Sequence, residues 1–205
     1  LVKHYDCKLR ADDAYATSWE YYYGPDFYRG IGYAIAAKPR QVDGVKNRPL
    51  SIIRFPLRNK ELDHFESDFS VATTAHGIDG YKEGTVTDNN VGWNFVGNPF
   101  LSSWKGAIGH KQLIKHYDDK GQWDGSYDWV DSNVKYITVM SAENGSDYDQ
   151  YVASNTELKP FFPFFMQEAA DGGSGTINFA AANLVRKAPA ELYAHQPCEA
   201  YVQIE

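Results

Sequence analysis

Gly92-Trp93-Asn94-Phe95-Val96-Gly97-Asn98-Pro99-Phe100 is the stretch whose reading decides the fold. It is too rich in glycine for a helix, too aromatic for a linker, and it carries no nucleophile. It reads as a short buried strand delivered into a turn. Trp93, Phe95 and Val96 supply the apolar surface, and Asn94 falls on the face opposite Trp93 and Phe95. Gly97 and Asn98 tolerate positive φ, while Pro99 fixes its own φ and bars Asn98 from the helical region. The asparagine amides are then expected to bond backbone groups that the turn leaves unpaired. Trp93, Asn94, Gly97, Asn98 and Pro99 are thus the signature of a structural corner.

Outward from this corner the chain continues as strands. Its 15 Tyr, 11 Phe and 5 Trp come with 17 Gly and 9 Pro, the mixture of rings for a pleated surface and residues for tight turns. Strand patterns recur at 32–37, 50–55, 65–73, 136–140, 161–167 and 176–179, with turn signals such as Asp43-Gly44 between them. The best helical pattern, 102–117, is interrupted by Gly106 and Gly109 and predicts a turn or two of helix at most. The expected fold is an all-β antiparallel sandwich, jelly-roll-like, built as two related halves. The first half is 1–84, the second is 85–190 and contains the corner, and 191–205 begins a further strand or domain. Similar strand-turn-strand grammar in 32–55 and 162–179 motivates the two halves, and Gly80, Gly84 and Asp88-Asn89-Asn90 mark their junction.

Charge and composition limit the partners. Twenty Lys and Arg against 27 Asp and Glu leave a net charge of −7, with the basic residues dispersed, which argues against a nucleic-acid ligand. No run approaches the roughly 18 to 20 apolar residues that span a bilayer, and no signal peptide is visible. The chain starts at Leu1 and ends within a strand-like alternation, so neighbouring domains of a longer protein are expected. Cys7 and Cys198 lie at opposite ends and are read either as a disulfide or as two separate thiols.

The corner followed by Ser102-Ser103 resembles the GWNLVGNPYPS signature of many secreted and cell-surface proteins of Bacteroidetes. Downstream, 136–139, 145–148, 158–167 and 176–179 with Arg186 are similar in order to the strands that follow that signature. Upstream, His4-Tyr5-Asp6, Arg10-Ala11, Ser18-Trp19 and Gly30-Ile31-Gly32-Tyr33 resemble the run that precedes it. Ile31 stands where the family has Lys, and Pro163-Phe164 replaces its usual Gln-Gly or Gln-Ala. The resemblance implies an all-β module of an extracellular or cell-surface protein and implies no catalytic residues.

Catalysis needs a constellation of residues. GxSxG, HExxH and P-loop patterns are absent from the sequence, and its six histidines show no helical i, i+4 pairing. No catalytic residue is assigned, although a glycosidase carboxylate pair is defined in space and leaves no spacing to read. The acidic loop 118–131 reads first as a solvated hairpin. Asp118, Asp119, Asp124 and Asp128 are its calcium candidates, outside the spacing of a calcium loop; no other cofactor is implied. Trp123, Tyr127 and Trp129 in the same loop are of the kinds that stack on sugar rings. The run Trp19-Glu20-Tyr21-Tyr22-Tyr23 is a second aromatic candidate, with one face expected in the core. The leading expectation is a non-catalytic adhesion or scaffold module contacting a glycan or a surface protein. A carbohydrate-binding module is the alternative, and a glycan-active enzyme the third.

Overall fold

The computed structural model describes residues 2–12, 18–35, 40–42, 45–48, 67–75, 91–140, 148–170 and 172–185. The expected strand 50–55, the junction at 80–90, the segment 191–205, Arg186 and Cys198 lie outside them, and so does any test of the Cys7–Cys198 pairing.

Besides the short 3-10 turns Ala153–Asn155 and Ala181–Asn183, thirteen strands and one short α-helix are described. They are β1 (Val2–Tyr5), α1 (Cys7–Asp12), β2 (Trp19–Tyr21), β3 (Tyr33–Ile35), β4 (Arg40–Val42), β5 (Val45–Arg48), β6 (Phe69–Thr73) and β7 (Trp93–Gly97). Then follow β8 (Gly109–Tyr117), β9 (Trp123–Asn133), β10 (Tyr136–Met140), β11 (Tyr148–Val152), β12 (Pro163–Gln167) and β13 (Gly172–Phe179). Two four-stranded antiparallel sheets, ordered β11-β10-β12-β7 and β6-β13-β8-β9, pack in a sandwich, and the chain is all-β as expected. A three-stranded sheet β2-β1-β3 and the β4-β5 hairpin complete the set. Strand β6 of the first expected half pairs from Phe69 to Thr73 with β13 of the second, so the sandwich draws on both halves.

Pleating sorts the side chains. Val96, Ile137, Phe164 and Met166 from one sheet meet Val71, Ile177 and Phe179 from the other, and Phe100, Trp104, Ile108 and Leu158 close the ends of this core. Trp104 is fully buried, and its indole N–H donates to the Ala180 carbonyl at 2.8 Å, which satisfies the only polar atom of its side chain. The opposite face of β7 and β12 carries Phe95 and Phe165, register partners with ring centroids 4.5 Å apart. Tyr5 and Trp19 stand edge-on over Phe165 at 5.0 and 6.1 Å and cover it with the N-terminal sheet. This burial pushes the Tyr5 phenol up to about 12.

The corner is built as the sequence predicts, with one change. Asn94 is buried, donating to the Thr74 and Gly92 carbonyls at 2.9 and 2.8 Å and accepting from Thr74 N–H at 3.1 Å. Asn98, also buried, donates to the carbonyls of Ser102, Leu158 and Lys159 at 3.0, 3.0 and 2.9 Å and accepts from Phe100 N–H at 3.0 Å. Arg29 donates to the Pro99 carbonyl at 2.7 Å from outside the turn, with its guanidinium 4.2 Å from the Phe69 ring. Positive φ falls at Gly92 (78°), not at Gly97 or Asn98. Gly97 is a β7 residue paired with Pro163, and the Asn98 amide does the work that a left-handed turn would have done. At Gly92 a Cβ would come 2.5 Å from the Glu168 carbonyl, so both the dihedral and the space require glycine.

A second correction concerns 102–117. The expected turn of helix is absent; 109–117 is the strand β8, paired on one side with β13 and on the other with β9. Gln112 points into the sandwich while Lys111, Leu113 and Lys115 point out, a period-2 pattern that the two flanking glycines obscured. The loop 118–131 is the hairpin partner that the sequence implied, but β9 is far longer than a turn.

Candidate functional site

Strands β8 and β9 form a two-stranded ribbon whose registers set one face. The pairs Lys111–Asp131, Leu113–Trp129, Lys115–Tyr127 and Tyr117–Trp123 share that face, while His110–Ser132 and Gln112–Val130 lie on the reverse. The turn between the strands closes through Asp118, whose backbone N–H donates to Gln122 O at 2.8 Å while its carboxylate accepts from Lys120 and Gln122 N–H. Gly121, with φ of 72°, completes it.

This face is open to solvent. Trp123, Trp129 and Tyr117 are 47%, 53% and 45% exposed, values far above those of packed core rings. Trp123 stands edge-on to Tyr127 at 5.6 Å, and its indole N–H donates to Ser126 O at 2.9 Å, which fixes its orientation. The Lys111 ammonium lies 5.4 Å from the Trp129 ring centre and that of Lys115 lies 4.9 Å from Trp123. Across β13 the same sheet face continues with Thr176 and with Asn178, whose Oδ1 accepts from Ser70 Oγ at 2.5 Å. Rings, ammonium groups and hydrogen-bonding side chains therefore share one broad surface. Trp123, Tyr127 and Trp129, near one another in the sequence, are brought together on it.

The N-terminal aromatics are divided. Trp19 is held among Tyr5, Phe95 and Phe165 and is part of the packing between sheets. Tyr22 packs with Tyr33 and Phe27. Tyr21 and Tyr23 remain exposed with centroids 6.2 Å apart, the former under the Lys3 ammonium at 5.1 Å. The full run is not one platform.

Two of the calcium candidates, Asp124 and Asp128, converge on His116, at 3.8 and 2.6 Å. Asp118 closes the turn, Asp124 accepts from Ser126 N–H and Oγ at 2.9 and 2.7 Å, and Asp128 accepts from His116 Nδ1 at 2.6 Å. The Ser126 hydroxyl and N–H hold the Asp124 carboxyl below its ordinary range, and the Asp128 hydrogen bond raises the His116 pKa. Among the described residues no group of three or more His, Cys, Asp or Glu is arranged to hold a metal ion. None of the described helices is long and apolar enough to cross a membrane.

One polar cluster escaped the sequence reading. Glu168, just beyond β12, has a fully buried carboxylate that accepts from Thr73 Oγ1 of β6 and meets His110 Nε2 of β8 at 2.6 Å. His110 Nδ1 lies 3.0 Å from Ser132 Oγ. The order hydroxyl, imidazole, carboxylate is that of an activated nucleophile. The Ser132 contact, however, joins direct cross-strand register partners, and Ser132 is exposed. The specific feature is the carboxylate, which ties the first sheet to two strands of the second. Residues 73, 110 and 168 come from three strands or their ends, so no spacing in the sequence announces them.

The fold and this surface define a class: an antiparallel β-sandwich with an exposed aromatic and cationic sheet face. No family model, curated protein or solved structure matches the chain.

Proposed function

We propose that this chain is a non-catalytic binding module whose working surface is the β8–β9 face, and that its ligand is a glycan. The observation that carries the reading is the co-presentation of Trp123, Tyr127 and Trp129 on a solvent-open sheet face that continues past Lys111 and Gly109 to the polar Thr176 and Asn178. Indole and phenol rings offer apolar faces to the C–H surfaces of a sugar, and the neighbouring polar groups address its hydroxyls. The resemblance of the corner and its flanking motifs to Bacteroidetes surface proteins supports placing the module outside the cell, within a longer polypeptide. A glycan array of the folded chain, with and without calcium, tests the reading. Trp129→Ala is expected to weaken any hit by about 2 kcal/mol, roughly thirtyfold, with an unchanged melting curve. Hits indifferent to Trp123→Ala and Trp129→Ala locate the ligand elsewhere and end this proposal.

A second reading is adhesion to a protein, favoured by a different patch. Tyr136, Met140, Tyr148 and Val152 lie on one face of β10 and β11 and are 54%, 52%, 51% and 45% exposed. An interaction partner lost in Tyr136→Ser with Met140→Ser, and retained in Trp129→Ala, supports this second reading over the first.

A further inference from the structure

We infer that the glycan taken by the β8–β9 face is an acidic polysaccharide, a chain of sugars carrying carboxylates. The inference rests on the glycan reading above and narrows it. Lys111 and Lys115 hold their ammonium groups over Trp129 and Trp123, so two of the three rings are already in contact with a cation. A neutral sugar stacking on those ring faces has to displace the ammonium, a loss of roughly two- to fivefold in affinity per ring. A uronate offsets this loss: its carboxylate pairs with the ammonium that its ring moves off the indole face.

Charge on the ribbon is sorted accordingly. Asp131 is the one acid among the paired residues of the aromatic face, against Lys111 and Lys115. Asp128 and Asp124 turn to His116, on the reverse side. In a chain of net charge −7, the paired residues of this face carry two lysines against one aspartate, the register partner of Lys111. The two lysines stand four strand residues apart, roughly 13 Å along β8. That span exceeds a single sugar, so a polymer with repeated carboxylates satisfies both ammonium groups where a lone anion satisfies one.

The experiment uses the whole chain and two probes with one backbone, polygalacturonate and its fully methyl-esterified form, measured by titration calorimetry over a salt series. The expected result is binding to polygalacturonate that weakens as salt rises, with the ester at least fivefold weaker. Lys111→Gln and Lys115→Gln each weaken binding by about two- to fivefold, and the double variant abolishes the difference between the two probes. Both lysines are on the surface, so a thermal melt checks that these variants fold. Equal or tighter binding of the ester, or a double variant as good as the parent, overturns the inference. So does binding of a sulfated polysaccharide alone. A neutral-glycan panel separates the two levels: neutral binding lost in Trp129→Ala leaves the glycan reading standing and refutes this one, while no binding to any glycan refutes both.

Discussion

Replacement of Asn98 tests the corner on which the fold depends. Its Nδ2 group donates to three carbonyl oxygens with only two hydrogens, so one hydrogen is shared between two of them, and Oδ1 accepts a further bond from the Phe100 N–H. About three net bonds at about 1 kcal/mol each are lost in Asn98→Ala, and the buried Phe100 N–H is left without its acceptor at about 1 to 2 kcal/mol more. The expected loss is therefore about 4 kcal/mol. For a chain of this length it lowers Tm by roughly 10 °C. Asn98→Asp is expected to be worse at neutral pH, because a carboxylate then faces the three carbonyls that the amide had served. Its pKa in the folded state must rise, since only the protonated acid can donate. An acid with a raised folded pKa destabilises above its unfolded value, so this variant recovers as pH falls toward about 4 and loses up to about 1.4 kcal/mol per pH unit on the way up. Urea denaturation at pH 4 and pH 7 measures both variants. A loss below 1 kcal/mol in Asn98→Ala, or an Asn98→Asp variant that is equally stable at both pH values, refutes the account of the corner.

Three further outcomes follow from the same structure. Glu168→Ala leaves His110 and Thr73 facing a cavity and is expected to cost about 3 to 5 kcal/mol, with His110→Ala adding little in the double variant because both act in one cluster; denaturant melts of the cycle check this. His116 titrates above its ordinary range because Asp128 accepts a hydrogen bond from its imidazole, so Asp128→Asn returns it toward that range, as read by NMR titration of the imidazole. The sign is that of a raised histidine: the stabilising contact is present below its unfolded pKa and is lost as pH rises through the folded one. The buried Cys7 thiol is directed at the Thr74 carbonyl, and burial pushes it up to about 12. Peptide mapping after iodoacetamide treatment at pH 8 should find Cys7 unmodified in the native chain and alkylated in denaturant.

The sequence alone determined the class of fold and the character of the corner. Alternating rings separated by Gly and Pro exclude long helices, and Gly-Asn-Pro has few uses other than a turn, so local chemistry sufficed. It also flagged Trp123, Tyr127 and Trp129, because clustered rings in an acidic loop are anomalous for a loop. Tertiary structure decided what local rules leave open. The stretch 102–117 reads as a broken helix because Trp104, Ile108 and Leu113 are interrupted by Gly106 and Gly109; pairing with β13 and β9 imposed the extended form on β8. Trp19 and Trp129 are the same residue type, yet one is packed over Phe95 and Phe165 and the other is open, a distinction made by the sheet that happens to lie above it. The Glu168 cluster exists only because three distant segments converge, and Lys111 and Lys115 share a face with the rings only because the register places them there. Sequence records which groups a chain carries along its length; which of them share a face is a property of register and packing, and it is fixed when the sheets close.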